Sequence, residues 1–274
     1  IEQKMSERLG QAVIVENRSG ASGIIGTDLI SKAEPDGYTI GVGQGGNLVT
    51  LPHTRKSLPY NALKDFAPIT ISTFNYLAIT ASNKAPFSTV PQMIDWAKKN
   101  PGMLTVGTNG EGGFPHLTFE HFAQAANIKF SHIPYKGASQ AITDVLGGQV
   151  QMTFATASAA ANLVRGGKLK ALAVTTKERS ASWPNTPTMI EAGVKDYGME
   201  SWYGVCAPVG TPREIVMKLN AAVSAATKTR FFTSKLEEEG LMARAASPES
   251  FGQYIKQEEL RWEKIIQAAK IRLD

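Results

Sequence analysis

The sequence predicts an α/β fold made of two doubly wound lobes. Short β-rich runs alternate with helical patterns, most regularly between residues 88 and 176, as in a parallel sheet covered by helices. Apolar residues make up 42% and charged residues 19% of the 274 positions, an ordinary globular balance. Since α/β material precedes this region and helices follow it, the flanks are expected to form one domain. We predict lobe 1 from residues 1–80 and 201–274, lobe 2 from residues 81–200, and a ligand cleft between them.

The N-terminal flank begins with the end of a helix. Ile1, Met5 and Leu9 are spaced as on one helix face, and Gly10 follows as a stop signal. Because an α/β domain seldom opens in mid-helix, we expect a strand, a loop and any signal peptide to precede Ile1. The next predicted elements are a strand at 12–16, a helix at 22–33, a strand at 38–42 and apolar runs at 66–72 and 76–81.

In the middle region, short apolar runs predict the strands, and capping and stop residues predict the helices. Ser88 or Thr89 caps a helix with Pro91 in its first turn, and Gly147-Gly148 ends another. The predicted strands are 103–107, 128–133, 150–154 and 169–175, and the predicted helices are 89–99, 115–126, 140–146 and 158–164. After Trp202 the chain is predicted to be helical, with a long final helix opening at Ser247-Pro248.

Composition excludes several classes of function. The net charge of +5 is spread without a basic run, so a nucleic-acid groove is not predicted, whereas a small acidic ligand fits the mild bias. The single cysteine, Cys206, makes neither an intramolecular disulfide nor a multi-cysteine zinc site, and is expected to be a small buried residue. The four histidines are dispersed and no catalytic motif is present. We therefore predict no metal, no cofactor and no catalysis.

Two glycine-rich stretches are candidate binding loops. Residues 41–46 match G-x-G-x-x-G, but Pro52 follows too closely for the long helix of a dinucleotide site. We interpret this first stretch as part of a loop between a strand and a helix, which offers Gly45, Gly46 and Asn47 to the cleft. Residues 107–116 contain four glycines between a strand and the helix start at Pro115. A loop longer than a turn requires, ending at a helix N-terminus, favours anion binding over a plain βα turn.

The candidate ligand-binding residues of lobe 2 lie at three successive strand ends, as a switch-point crevice requires. Tyr135 and Lys136 follow one strand and are interpreted either as cleft residues or as surface residues. Trp202 lies near the second crossing and is interpreted as hinge, wall or core. The histidine of Pro115-His116-Leu117 is a candidate with a structural role as its alternative. The predicted contacts are Thr108, Asn109, Gly110, Phe114, His116, Tyr135, Thr156 and Trp202.

An ordered set of short motifs resembles the Bug (Bordetella uptake gene) family, also called TctC-like. The resemblance spans essentially the whole chain, and the order makes it specific although each motif is weak. The motifs are Val15-Glu16-Asn17-Arg18-Ser19-Gly20-Ala21, Pro35-Asp36-Gly37-Tyr38-Thr39, Leu58-Pro59-Tyr60 with Asp65-Phe66-Ala67-Pro68, Pro115-His116-Leu117, Pro134-Tyr135-Lys136-Gly137, Leu146-Gly147-Gly148-Gln149-Val150, Gly167-Lys168-Leu169-Lys170-Ala171-Leu172-Ala173-Val174-Thr175 and Ala207-Pro208-Val209-Gly210-Thr211-Pro212.

The resemblance implies a type II periplasmic-binding-protein fold with a Venus-flytrap cleft. It also implies a monomeric periplasmic protein that captures a small organic carboxylate, without catalysis, for the membrane components of a tripartite tricarboxylate transporter. Carboxylates in the family are held largely by loop amides and ordered waters. Members also carry a first strand and a pocket-lining glycine-rich loop ahead of the position of Ile1.

Two departures from the family pattern bear on the ligand. Gly113-Phe114 stands where the family often has a Ser or Thr pair, and Ala155 stands where it often has an aspartate that would pair with an amino group. We therefore predict a carboxylate without an α-amine, with aromatic acids among the candidates. Two other functions remain open from the sequence: an effector-sensing domain of similar architecture, and an α/β enzyme acting on small acids.

Overall fold

The structure is a computed structural model that describes residues 1–18, 21–238, 241–269 and 271. The chain forms two compact units: the first contains Ile1–Phe74 and Ser201–Asp274, and the second contains Asn75–Glu200. Ser19 and Gly20, part of the first family motif, lie outside the described residues.

Helices and strands alternate along most of the chain. In chain order they are α1 Glu2–Leu9, a 3₁₀ turn Ala21–Gly23, α2 Ile24–Ser31, β1 Gly41–Gln44, a π-helical turn Gly46–Thr50, α3 Leu51–Thr54, β2 Phe66–Ser82, α4 Val90–Lys99, β3 Leu104–Thr108, α5 Phe114–Ala126, β4 Phe130–Pro134, α6 Ala138–Gly147, β5 Met152–Thr156, α7 Ala157–Arg165, β6 Leu169–Val174, β7 Glu200–Pro208, α8 Arg213–Thr227, α9 Arg230–Glu238, β8 Leu241–Ala243 and α10 Pro248–Ala269. No helix in the described part of the chain is long and apolar enough to cross a bilayer.

The first unit is built on β1, β7 and the first half of β2. β1 pairs antiparallel with β7, from Gly41 opposite Cys206 to Gln44 opposite Tyr203, and β7 pairs with β2. Helices α1 and α8 cover this sheet because each presents an apolar stripe to it. The resulting core contains Met5, Ile69, Val205, Ala207, Val216, Leu219, Ala222 and Val223.

The predicted strand at 12–16 is wrong, and the strand predicted at 38–42 begins only at Gly41. Ile14 and Val15 remain 81% and 59% exposed. A β-rich run becomes a strand only when a neighbouring strand satisfies its backbone groups, and none pairs with this run in the described residues. A cavity of about 650 Å³, lined by residues such as Leu9, Ile14 and Tyr38, lies beside it.

The second unit contains a mixed sheet in the order β6-β2-β5-β3-β4. The second half of β2 runs antiparallel to both β5 and β6, whereas β3 runs parallel to β4 and β5. Phe154 packs against Phe119 of α5, while the next residue, Ala155, packs against Ile142 and Val145 of α6. Since successive strand residues point to opposite faces, α5 and α6 cover opposite faces of the sheet. The α/β prediction for the middle region is confirmed.

Two strands differ from the predicted pattern. The apolar runs at 66–72 and 76–81 form one strand of 17 residues, β2, because the chain between them stays extended, with Thr73 and Phe74 buried and Asn75 half-buried. The stretch around Trp202, expected to lead into helices, is strand β7. The helix caps were predicted well: Thr89 accepts a hydrogen bond from the N–H of Gln92, and α10 begins at Pro248.

A glycine in β7 gives a stability prediction. A Cβ added at Gly204 would lie 2.2 Å from Cζ of Phe251, which is fully buried. We expect Gly204→Ala to lower the free energy of unfolding by about 1–3 kcal/mol through overpacking, as measured by urea denaturation. Gly252→Ala is the control, since its Cβ would make an ordinary contact 3.6 Å from Pro68 and alanine favours the helix. Equal urea midpoints for the two variants would contradict the prediction.

Candidate functional site

Three strand ends of the second unit meet at one edge of its sheet. β3, β4 and β5 are parallel, so their last residues, Thr108, Pro134 and Thr156, lie along the same edge. The chain leaves β3 towards β4 on one side, and leaves β5 towards β6 on the other. The neighbouring strands β3 and β5 therefore form a topological switch point, where open α/β sheets bind their ligands.

The loop from β3 to α5, residues 109–113, is called the glycine-rich loop below. Gly110 has φ 136° and Gly112 has φ 68°, conformations that side chains with a Cβ rarely adopt. Oγ1 of Thr108 donates to the carbonyl oxygen of Gly110 at 3.1 Å, and the N–H of Tyr135 donates to the carbonyl of Thr108 at 2.9 Å. The structure thus brings Thr108, Gly110 and Tyr135 together, with Asn109 exposed on the loop.

Helix α5 starts directly after this loop. Gly113 is its N-cap and offers no side-chain acceptor to the first turn, and Phe114, half-buried, is its first residue. Pro115 lacks a backbone N–H, which suits this position. The positive end of the helix dipole and the backbone donors of the loop therefore lie on the same side of the sheet edge.

The Tyr135 hydroxyl is engaged inside the second unit. It donates to Oδ2 of Asp144 at 2.6 Å, and a Cβ at Gly107 would lie 3.2 Å from the Tyr135 ring. Burial, together with the hydrogen bond to Asp144 and its negative charge, raises the pKa of Tyr135 to about 12. Tyr135 therefore packs on β3 as a neutral phenol, and α6 rather than the sheet edge takes its hydroxyl.

The side chain at position 155 does not support the inference drawn from it about the ligand. Ala155 is 2% exposed and packs among aliphatic residues of α6 and β6. An acid at this position would be buried in that cluster, so its absence says nothing about an amino group on the ligand. Thr156, one residue later, is half-buried and forms the N-cap of α7 without a side-chain hydrogen bond to it.

The first unit brings the other predicted residues together. Gly45 precedes the π-helical turn, and a Cβ on it would lie 3.2 Å from Nε1 of Trp202. Trp202 is 1% exposed and packs edge-on against Phe251 and Tyr254, and its buried Nε1 has no hydrogen-bond partner among the described residues. Its ring therefore belongs to the core, with an indole donor next to Gly45.

Asn47 is held by three hydrogen bonds inside the first unit. Its Nδ2 donates to Oγ1 of Thr27 at 2.8 Å, and its Oδ1 accepts from Nε2 of Gln44 at 2.9 Å. Its carbonyl oxygen accepts from the hydroxyl of Tyr60 at 3.0 Å. Asn47 is 4% exposed, so its side chain fixes the turn, while Gly46 has open space where a Cβ would be.

Sequence reasoning missed His132 as a neighbour of the glycine-rich loop. His132 lies opposite Val106 in the parallel pairing of β3 and β4, and its ring stacks on that of His116. The sequence does show a histidine near the end of a predicted strand, at Ser131-His132. Its contact with a histidine of another element depends on the order of the strands, however, and that order is not visible in the sequence. No group of three or more potential metal ligands occurs among the described residues.

Cys206 behaves as a small core residue, as predicted. It is 1% exposed, and burial raises the pKa of its thiol to about 12. Since the thiolate is the reactive species, we expect the folded protein to resist maleimide labelling at about pH 8 and the urea-unfolded protein to label fully. Labelling of the folded protein at the rate of the unfolded protein, measured by mass spectrometry, would contradict this.

Comparison with known proteins confirms the predicted family. The model of the tripartite tricarboxylate transporter family receptor, TctC, matches residues 1–271. Protein BugT of Bordetella pertussis is 30% identical over 274 residues, spanning 98% of this chain and 83% of that protein.

Two solved structures show the same fold with small carboxylates bound. MatC (Rpa3494) from Rhodopseudomonas palustris, with bound malate, is 28% identical with a TM-score of 0.78, covering 97% of this chain and 91% of that chain. R. palustris Rpa4515 with adipate is 32% identical with a TM-score of 0.83, covering 99% of this chain and 91% of that chain. The structure of periplasmic binding protein BugD also matches, at 31% identity and a TM-score of 0.79 over 99% of this chain and 91% of that chain, so the mixed α/β fold is that of periplasmic binding proteins.

Proposed function

We propose that this chain, which belongs to the TctC family of tripartite tricarboxylate transporter receptors, binds a small organic carboxylate in the periplasm. It would deliver the carboxylate unchanged to the membrane components of a transporter of that type. In this proposal the protein acts as a monomer, and its two compact units are the two lobes of the binding protein.

The observation that carries the proposal is the switch point of the second unit. The glycine-rich loop and the first turn of α5 lie at the edge where β3 and β5 diverge, and in this proposal the loop N–H groups other than that of Gly112, together with the positive helix end, face the ligand there. Backbone N–H groups are uncharged donors. They favour an anion that accepts several hydrogen bonds over an anion that requires a buried, positively charged side chain beside it. A carboxylate has two oxygens and about four acceptor positions, which suits this donor set.

We propose that ligand contacts come from both units. In the second unit the strand ends contribute Thr108, Asn109, Gly110 and Thr156, with Phe114 as an apolar surface and His116 behind the loop. Tyr135 contributes its ring and backbone, since Asp144 takes its hydroxyl. In the first unit the contribution comes from the backbone of Gly45 and Gly46, from Asn47 as the residue that fixes their turn, and from the indole N–H of Trp202.

The bound adipate and malate of the related structures support unbranched or hydroxylated dicarboxylates as first candidates. Neither compound carries an α-amine, so these relatives, and not the residue at position 155, are the ground on which we propose a carboxylate without an α-amine. Phe114, an aromatic ring where a hydroxyl-bearing residue is usual in the family, favours the more apolar members of that class.

A thermal-shift screen with matched ligands tests the function. We expect adipate or another dicarboxylate to raise the melting temperature, since ligand at 100 times its Kd adds about 2.7 kcal/mol to the free energy of unfolding. Adipamide and 1,6-hexanediol have the same chain length without the charge and are expected to have no effect. Recovery of intact ligand after incubation distinguishes binding from turnover. A flat response to the whole carboxylate panel would contradict the proposal.

A further inference from the structure

Two histidine side chains stack on each other beside the glycine-rich loop. The ring centroids of His116, on α5, and His132, on β4, are 3.7 Å apart, with 9° between the ring planes. His116 is 4% exposed and His132 is half-buried. The stacked pair therefore joins two elements of the second unit directly beneath the loop.

Each ring contacts the loop region through one nitrogen. The backbone N–H of Gly112 donates to Nδ1 of His116 at 3.0 Å. Nε2 of His132 lies 2.6 Å from Oγ1 of Thr108, the residue that precedes the loop. The pair thus holds the loop both where it begins and near its end.

The hydrogen-bond partners fix where the protons are. Nδ1 of His116 accepts a hydrogen bond, so a neutral His116 ring carries its proton on Nε2, which lies 3.5 Å from Oε1 of Glu120. The Thr108 hydroxyl has one proton, and it is donated to the carbonyl oxygen of Gly110. With this hydroxyl orientation, Nε2 of His132 is assigned as the donor to Thr108. Both rings are assigned as neutral tautomers with the proton on Nε2.

We propose that His116 and His132 are positioning residues of the glycine-rich loop, which hold it in its binding conformation as long as Nδ1 of His116 remains a hydrogen-bond acceptor. This inference rests on the proposed function, because it makes carboxylate affinity depend on pH through a pair of side chains that need not touch the carboxylate.

The physical reason is a conflict between two donors. A protonated His116 carries N–H on both nitrogens, and its Nδ1–H would then face the N–H of Gly112. That hydrogen bond cannot form, so the loop loses its attachment near Gly112 and must rearrange. A glycine-rich segment has little else to fix its backbone, so its donors would no longer converge on one anion.

The charged groups around the pair add a separate effect of pH on the stability of the fold. Burial and the neighbouring His116 lower the pKa of His132 to about 4, and Glu120 acts in the opposite direction. Glu111 is exposed on the loop, and the described strands β3 and β5 carry no titratable side chain. Because the folded-state pKa of His132 lies below the unfolded value of about 6.5, the folded state loses stability as pH falls from about 6.5 towards about 4. This loss of stability comes from His132, which the wild type and the His116 variants share, so it is separate from the contact between His116 and Gly112.

The test compares the wild type with two variants. His116→Asn places an amide oxygen near the position of Nδ1 and cannot become charged, whereas His116→Leu removes the acceptor. Calorimetry gives Kd for adipate and malate at about pH 7.5 and about pH 5.5. We expect the wild type to lose about tenfold more affinity than His116→Asn over this range. Protonation of the ligand is common to both proteins, so it cancels in this comparison.

A second measurement needs no ligand and separates this inference from the proposed function. The Gly112 amide resonance of the ligand-free wild type is expected to shift as pH falls, and its protection factor against hydrogen exchange, taken relative to an unstructured amide at the same pH, is expected to drop. Both are expected to stay unchanged in His116→Asn. His116→Leu should resemble the acid state throughout, and the first two proteins decide the matter if it fails to fold. A pH-insensitive Gly112 in the wild type, or equal pH profiles of Kd for wild type and His116→Asn, overturns the inference. Failure of every carboxylate to bind at about pH 7.5 counts against the proposed function, and Gly112 still decides this inference.

Discussion

Replacing Phe154 with alanine is expected to lower the free energy of unfolding by about 3–5 kcal/mol. Phe154 is 1% exposed at the centre of β5, with its ring centroid 5.0 Å from that of Phe119 and 6.5 Å from that of Phe122. The substitution removes the ring that joins α5 to the sheet, and the neighbouring rings are too large to close the cavity. Urea denaturation measures the change in stability.

The effect should also be local. We expect hydrogen exchange to accelerate in α5 more than in α6, since α6 packs on the opposite face of the sheet. Met103→Ala removes a side chain that is 65% exposed in the same unit, and its effect is expected to stay within about 0.5 kcal/mol. If the two variants unfolded at the same urea concentration, the aromatic cluster would not be the core of this unit.

The sequence predicts the second unit well because its signals are local. Caps such as Thr89, helix stops such as Gly148 and apolar runs of strand length each depend on neighbouring residues only. The long loop before Pro115 was also visible, since no βα turn needs so many glycines. Knowing that three strands are parallel then places Thr108 and Thr156 on one edge.

The failures of sequence reasoning come from pairing between distant segments. Residues 12–16 have the composition of a strand but find no partner in the described chain, while the stretch around Trp202 becomes a strand because β1 and β2 flank it. Contacts such as Tyr135 with Asp144 and His116 with His132 follow from helix placement and strand order. A single sequence without the sheet order does not contain them.

The site therefore combines parts with different physical roles. Backbone donors of the loop provide the attraction for an anion, and the histidine pair and the Thr108 hydroxyl hold those donors in place. If the ligand-free loop relaxes, part of the binding free energy is used to restore its binding conformation. Ligand affinity therefore depends on how well the loop is preorganised. The conformation of Gly110 is the most direct measure of that cost.

Gly110→Ala is accordingly expected to weaken carboxylate binding by about five- to 150-fold. Gly110 has φ 136°, and forcing a residue with a Cβ into such a conformation costs about 1–3 kcal/mol. A Cβ there would meet only the carbonyl oxygen of Tyr135, at 3.8 Å, so strain and not a collision is the reason. In the variant the free loop can relax to a conformation of lower energy. Binding must then restore the strained conformation, and the free energy this takes appears as lost affinity.

Gly102→Ala is the matched control for this prediction. Gly102 has φ 79°, has open space where a Cβ would be, and precedes β3 at the end opposite the glycine-rich loop. Alanine at position 102 carries the same kind of strain. However, the carbonyl oxygen of Gly102 accepts from Oγ of Ser131 and its N–H donates to the carbonyl oxygen of Lys129, so this turn cannot relax without breaking hydrogen bonds of the folded unit. We expect Gly102→Ala to lose stability and keep its Kd, and Gly110→Ala to lose affinity with a smaller change in melting temperature. Equal affinities of the two variants, measured by calorimetry, would show that the ligand does not depend on the loop after β3.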